Sequence, residues 1–251
     1  MNRTTQGQGR ILPSAAALCR ISPATLAGLL QPEGTSRLCA ASAIFIIGGT
    51  TAYGFAFGLW RCGLQACYSA VKMPLLFFAI VLTSTVINFM LARLLGATLT
   101  FRQVLTAVLM GMAVTAIVLG SLTPVVLFIV LQVPSPPAIP PAADRTLMPA
   151  YWMVLLLHVA MVAVAGLIGN LKLFALLTQL TGRKLVAARV LVAWVLIIGL
   201  VGCELSWIVS PFLARPDIPV PFFNPNALTG NFFEYVWRAL GEVIREGHRA
   251  H

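Results

Sequence analysis

Two ionisable side chains lie deep inside apolar stretches of this sequence, His158 in LLLHVAMVA and Glu204 in GLVGCELSW. An ionisable group is costly in hydrocarbon, so each is expected to face protein or water and to have a partner. Counted at 1.5 Å of helix rise per residue, both lie roughly 5 Å from the centre of the bilayer, on the same side. The spacing therefore predicts an intramembrane pair.

Such a pair admits two interpretations. In the first, the imidazole and the carboxyl group relay protons or face a transported substrate. In the second, a hydrogen bond between them holds two helices in register. Coupled transporters usually carry more intramembrane charge or inverted repeats, and neither is visible here. The pattern favours the structural interpretation and leaves the other open.

Other chemistry lacks the necessary residues. The chain has three histidines, and two of them, His248 and His251, are close to its C-terminal end. No HExxH, GxSxG or P-loop pattern occurs, and no cluster offers three metal ligands. We expect a protein that is not an enzyme and that holds no metal and no cofactor.

Two basic residues flank apolar stretches on what is predicted to be the outer side of the membrane. Arg61 ends the first stretch, and Lys72 precedes the second with Met73 and Pro74. Long basic side chains at such positions extend toward the surface. We therefore predict that Arg61 and Lys72 each contact the phosphate of a lipid headgroup.

The composition identifies the elements that must position these residues. Apolar residues make up 59% of 251 residues and charged residues 10%, whereas soluble domains are about 25% charged. A membrane helix needs about 20 mostly apolar residues. The fold class predicted is an all-α integral membrane protein with five transmembrane helices, in a bundle over residues 39–212. The predicted spans are 39–60, 73–92, 104–132, 151–173 and 190–212.

Small residues four apart, Gly54 with Gly58 and Gly48 with Ala52, predict close helix packing.

Three segments lie outside these spans. Residues 1–38 form a polar tail with a possible interfacial helix, and residues 133–150 form a proline-rich loop. In residues 213–251 a proline-rich linker precedes NFFEYVWRALGEVIRE, residues 231–246, which begins with a capping box and predicts an amphipathic helix. Its apolar face comprises Phe233, Val236, Trp237, Leu240, Val243 and Ile244. This face is expected to lie on the membrane surface, to cover the mouth of the bundle, or to bind a partner protein.

The net charge of +10 is attributed to residues that set orientation, not to nucleic-acid binding, because no basic run of five or more is present. Ten lysines and arginines fall on the side of the N-terminus, against seven on the other side, three of them far from any span. This predicts a cytoplasmic N-terminus and an external C-terminus. The ten residues are Arg3, Arg10, Arg20, Arg37, Arg93, Arg102, Lys172, Arg183, Lys184 and Arg189.

Two stretches, AYGFAFGLWRCGLQACYSAVKMPLL and ELSWIVSPFLARPDIPVPFFNPNALTGNFFEYVWRAL, carry a resemblance to a group of bacterial multi-pass inner-membrane proteins. The family pattern has Lys-x-Pro at the start of its second span and a W-x-x-x-P-F … N-F-x-x-x-W-R-A-L signature. Glu204 stands where the family has Gln, and Ser210 where it has Arg. Gln at the first position indicates that a hydrogen bond, not a charge, is needed there. The matching residues are Lys72, Pro74, Trp207, Pro211, Phe212, Asn231, Phe232, Trp237 and Arg238, with the departure that four residues, not three, separate Phe232 from Trp237 in this chain.

The resemblance implies an inner-membrane location and no particular activity. Taken with the residues above, it favours a scaffold or accessory subunit of a membrane complex, in contact with lipid and with protein partners. The alternatives are a small transporter or channel component that uses His158 and Glu204, and a protein that binds its partner through the C-terminal helix.

Overall fold

Long apolar runs with few charges form helices in lipid, because a helix satisfies its own backbone groups. A computed structural model describes residues 18, 31–136, 147–215, 220, 222–223 and 230–249. Residues 1–17 and 19–30, which include most of the predicted tail and its short interfacial helix, lie outside the described residues. The helices with described bounds are α1 (Pro32–Gly58), α2 (Gly63–Leu94), α3 (Phe101–Gln132), α4 (Met148–Thr181), α5 (Lys184–Val209) and α6 (Phe232–Arg249).

Five of these helices, α1 to α5, are long and apolar enough to cross a membrane, with 26 to 34 residues each. At 1.5 Å per residue even the shortest exceeds the hydrocarbon thickness of about 30 Å. The prediction of an all-α, five-span membrane protein is confirmed. The sixth helix, α6, follows the last span.

The helices are mostly longer than the predicted spans. α2 begins at Gly63 and not at Met73, so Lys72 and Pro74 lie inside the helix. The polar residues of its first turns lower the local hydropathy, but they bond to other parts of the protein. α4 continues to Thr181, where Gly182 ends it with a φ of 66°. α5 stops at Val209, before Ser210 and Pro211.

Successive spans run in opposite directions, which gives the bundle two ends. At one end of the bundle α1, α3 and α5 finish and α2 and α4 begin, and we call this the capped end. We call the opposite end the open end. α1 packs against α2 and α3, α3 against α4, and α2 and α4 both contact α5. Each span therefore has at least two helical neighbours.

The backbones of α1 and α3 approach closely at glycines. A Cβ atom on Gly49 would clash with the backbone of Ala116, and one on Gly120 would lie 3.0 Å from the Cα atom of Gly49. Gly54 and Gly58 lie against the backbone of α2 in the same way, as their spacing predicted. Gly48 has open space beside it, so the contact predicted for this glycine is made by its neighbour Gly49.

Exposed basic residues gather at the open end. All but Lys172 lie within about two turns of a helix end there, and Arg102 donates a hydrogen bond from Nη2 to Oγ of Ser36 at 3.0 Å. By contrast, Arg61 and Lys72 near the capped end are only 3% and 1% exposed. Among the described residues the surface near the open end is thus the more positive one, since the exposed Arg238 and Arg245 of the capped end are each paired with a glutamate. The exposed set there is Arg37, Arg93, Arg102, Lys172, Arg183, Lys184 and Arg189.

Candidate functional site

His158 on α4 is bonded to α1. Its Nδ1 atom lies 3.0 Å from the hydroxyl oxygen of Tyr53. The imidazole also stacks on the rings of Phe57 and Tyr53, with centroid distances of 4.2 Å and 5.5 Å. Tyr53 and Phe57 are buried, so His158 sits in an aromatic contact between two spans and has the bonding partner that its depth in the membrane requires.

The predicted pairing of His158 with Glu204 differs from this arrangement. His158 bonds to Tyr53, and Glu204 makes no hydrogen bond or ion pair within the described parts of the chain. The depth argument compared the two residues only along the membrane normal. It did not specify which way each side chain points around its helix, and His158 points toward α1. Tyr53 was missed because a tyrosine in an apolar run gives no separate signal.

The space beside His158 is small. A cavity of about 10 Å³ lies among Tyr53, Phe57, Val130, His158 and Met161. A similar cavity lies near Lys172 toward the open end. A water molecule needs at least about 10–15 Å³. Each of these two cavities is therefore at the limit for a single water.

Glu204 lies on an outward-facing row of α5. Residues four apart share one face of a helix, and Leu196, Leu200 and Ile208 on this row are 66%, 55% and 44% exposed. Glu204 itself is half-buried. The opposite side of the helix, at Gly202, faces Ile80 of α2. We call Leu196, Leu200, Glu204 and Ile208 the outer row; it places a carboxyl group among side chains that face lipid.

The loop after α5 is held by three polar side chains of α2. Residues 210–215 form this connecting loop. Gln65 donates from Nε2 to the carbonyl oxygen of Phe212 at 2.8 Å, and Ser69 donates from Oγ to the same oxygen. Lys72 donates from Nζ to the carbonyl oxygen of Pro211 at 3.1 Å. The spacing of 65, 69 and 72 puts all three donors on one face of α2.

Lys72 does not reach the surface that was predicted for it. Its side chain is 1% exposed, and its ammonium group lies 4.8 Å from the centroid of the Phe222 ring, a distance suited to a cation–π contact. Arg61 is buried as well. Both cations lie within the protein, and Lys72 stabilises the connecting loop there instead of extending to a headgroup.

An aromatic cluster attaches α6 to the bundle at the capped end. The ring of Tyr235 on α6 lies 5.4 Å from that of Trp152 and 5.3 Å from that of Trp207, between centroids. Its hydroxyl group is hydrogen-bonded to that of Tyr151, and Tyr151 in turn contacts Trp60. Trp60 donates from Nε1 to the carbonyl oxygen of Pro134 at 3.1 Å. The cluster joins the ends of α1, α4 and α5 to α6.

The contacts described above each join one segment of the chain to another. No family model, curated protein or solved structure matches it. The resemblance noted in the sequence stays a prediction. Of its signature residues, Trp207 belongs to the aromatic cluster and Pro211 and Phe212 to the connecting loop. The described residues contain no group of three or more His, Cys, Asp or Glu that is suited to a metal ion.

Helix α6 has three distinct faces. Of the predicted capping box the structure shows the bond that Oδ1 of Asn231 accepts from the backbone N–H of Glu234, at 2.9 Å. Tyr235 and Ala239 face the bundle, and Ala239 is fully buried. The charged face holds two ion pairs, of Glu234 with Arg238 at 3.2 Å and of Glu242 with Arg245 at 3.4 Å. The third face carries the exposed apolar residues Phe233, Trp237, Leu240 and Ile244.

The predicted apolar face of this helix is thus divided. Phe233, Trp237, Leu240 and Ile244 are exposed, whereas Val236 is half-buried. The side chain of Val243 lies outside the described residues. We call Phe233, Trp237, Leu240 and Ile244 the apolar row. Tyr235, which attaches the helix to the bundle, was not included in the predicted face because its side of the helix lies about 150° around from the apolar row.

Proposed function

We propose that this chain is a non-enzymatic scaffold or accessory subunit of a membrane complex, and that the outer row of α5 contacts a second membrane protein. The observation that supports this proposal is the position of Glu204. It lies between the exposed residues Leu200 and Ile208 and makes no hydrogen bond or ion pair with the part of the chain that the structure describes.

A carboxyl group on a lipid-facing row is unfavourable in an isolated bundle, because acyl chains offer no hydrogen-bond donor. A neighbouring transmembrane helix with a lysine, arginine, histidine or amide side chain at the same depth supplies one. Polar side chains often hydrogen-bond across helices in membranes. The partner is therefore a membrane protein with a donor side chain on the helix that contacts α5.

The transport alternative rested on a relay between His158 and Glu204. His158 bonds instead to Tyr53, and the cavities beside His158 and near Lys172 each have a volume of about 10 Å³. Such cavities are too small for a solute larger than water. Tyr53, Gln65, Ser69 and Lys72 use their polar groups to bond one segment to another, as expected of a structural protein.

For the location we propose a bacterial inner membrane, with the N-terminus in the cytoplasm and the C-terminus outside. The exposed arginines and lysines of the open end support this orientation under the positive-inside rule. The burial of Arg61 and Lys72 at the other end strengthens it, because neither charge contributes to that surface.

A photo-cross-linking experiment tests the contact. A photoreactive residue replaces Leu200 on the outer row or, as a matched control, Leu167 on α4; these leucines are 55% and 60% exposed. After irradiation of native membranes, adducts are identified by mass spectrometry. We expect position 200 to give a discrete adduct with one membrane protein and position 167 to give lipid adducts.

A second variant links the adduct to the carboxyl group. Glu204→Ala should reduce the yield of the position-200 adduct several-fold, and replacing the donor side chain of the identified partner should reduce it by a similar factor. Lipid adducts alone at position 200, or a protein adduct that is unchanged by Glu204→Ala, would contradict the proposed contact.

A further inference from the structure

The apolar row of α6 faces away from the bundle. Its four side chains, Phe233, Trp237, Leu240 and Ile244, are 53%, 77%, 42% and 52% exposed. Their spacing of four, three and four residues aligns them along one side of the helix. This is a continuous apolar surface that the described residues leave uncovered.

The contacts of α6 fix its height relative to the membrane. Tyr235 touches Trp152, in the first turns of α4, and Trp207, in the last turn of α5. These tryptophans, with Trp60 and Tyr151, lie where the spans end, and aromatic side chains concentrate at that level of a bilayer. α6 therefore lies at the boundary between acyl chains and headgroups.

The position of α6 around the bundle indicates which side meets lipid. The helix packs mainly against α4 and to a lesser extent against α5, so it lies at the edge of the bundle and not across its whole mouth. At 100° per residue, the apolar row lies about 110° from the charged row of Glu234, Arg238 and Arg245, and about 150° from the side at Tyr235 and Ala239. One face of the helix therefore contacts the bundle, a second faces lipid and a third faces water.

We propose that α6 is an interfacial lipid-binding helix whose apolar row enters the leaflet at the capped end. Its ligand is the phospholipid leaflet that surrounds the protein, at the level where headgroups meet acyl chains. Arg238 and Arg245, both exposed, lie on the adjacent charged row, on the water side of the helix. This inference does not depend on the proposed contact of α5 with a partner.

Fluorescence quenching by brominated lipids provides the first test. The full-length chain is reconstituted into phosphatidylcholine–phosphatidylglycerol vesicles whose acyl chains carry bromine either near the headgroup or near the chain end. The signal of Trp237 is obtained by subtracting the spectrum of Trp237→Phe from that of the unmodified chain. We expect shallow bromine to quench this difference signal about twofold more than deep bromine, because interfacial helices lie about 5–10 Å into the boundary.

Photo-cross-linking distinguishes lipid from a protein partner. A photoreactive residue at position 237, on the apolar row, should give lipid adducts, and the same residue at position 238, on the charged row, should give several-fold fewer. A discrete protein adduct at position 237, equal lipid yields at the two positions, or a difference signal that neither bromine quenches would overturn the proposal. Glu204→Ala should leave the Trp237 quenching unchanged, so the failure of one proposal is distinguishable from the failure of the other.

Discussion

Tyr53 and His158, which are 105 residues apart in the chain, form one polar contact between two membrane spans, with 3.0 Å between the tyrosine oxygen and Nδ1. The stacking of the imidazole on Phe57 completes its surroundings. An ionisable residue in a span is commonly taken as a sign of proton or ion transfer. Here the surroundings of His158 are aromatic and closely packed, which suits a fixed joint between α1 and α4.

Removing the Tyr53 hydroxyl should weaken that joint. Tyr53→Phe keeps the ring but leaves half-buried His158 without its partner. We expect the free energy of unfolding in detergent to fall by about 1 kcal/mol, the range found for hydrogen bonds between membrane helices. Tyr68→Phe is the control, since Tyr68 contacts the ring of Phe222 and its hydroxyl has no hydrogen bond within the described residues. Equal losses in the two variants would contradict a specific role for the Tyr53–His158 bond.

Two adjacent glycines of α1 should respond in opposite ways to alanine. In Gly49→Ala the added Cβ meets the backbone of Ala116, and overpacking of this kind costs roughly 1–3 kcal/mol. In Gly48→Ala the Cβ meets nothing within 4 Å, so the higher helix propensity of alanine should leave stability unchanged or raise it by up to about 1 kcal/mol. Unfolding titrations of both variants in one detergent measure the difference. Equal stability of the two variants would show that α1 and α3 are farther apart than in this structure.

The connecting loop should loosen when Lys72 loses its charge. Lys72→Met preserves most of the side-chain volume but removes the donor to the carbonyl oxygen of Pro211. Hydrogen bonds from charged groups contribute about 1.5–3 kcal/mol, which corresponds to roughly tenfold or more in the opening equilibrium. Amide hydrogen exchange of residues 212–214 should accelerate by that factor. Lys172→Met, at an exposed lysine of α4, should leave it unchanged. If exchange at the loop were the same in both variants, Lys72 would not be what holds it.

Attachment of α6 should depend on Tyr235 far more than on its exposed neighbours. Tyr235→Ala removes the ring contacts with Trp152 and Trp207 and the hydrogen bond to Tyr151. Each aromatic pair contributes about 0.5–1.5 kcal/mol beyond its buried area, so amide exchange along α6 should become roughly tenfold faster in detergent. Leu240→Ala, on the apolar row, is the control and should have a smaller effect. A larger effect at Leu240 would mean that α6 is attached through the other face.

The spans could be predicted from the sequence because hydrophobicity and length together determine them in lipid. Residues 104–132 were predicted as a span, and α3 covers Phe101–Gln132. The start of α2 could not be placed in this way. Gln65, Ser69 and Lys72 made its first turns look like a loop, and only their contacts with Pro211 and Phe212 explain why the helix extends there.

The candidate site was harder to predict, because depth in a membrane is only one of the coordinates that bring two side chains together. His158 and Glu204 were placed at similar depth, but a rotation about each helix axis decides what each one meets. For α6 the helical periodicity of the sequence predicted the helix, and the residues at its start predicted the cap. The division of its apolar residues between bundle and surroundings depended on Tyr235 and Ala239, whose packing a helical pattern alone does not reveal.

The donors of α2 have a consequence for biogenesis. Lys72 is synthesised 139 residues before Pro211, the residue that accepts its hydrogen bond. A ribosome adds about 5–20 residues per second, so α2 must wait several seconds, with a bare ammonium group, until the last span has been inserted. During that interval the early spans depend on the insertion machinery, or on water that it admits, to shelter Lys72. A chain whose translation stops before residue 211 therefore leaves the Lys72 ammonium group without the carbonyl oxygen that accepts its hydrogen bond.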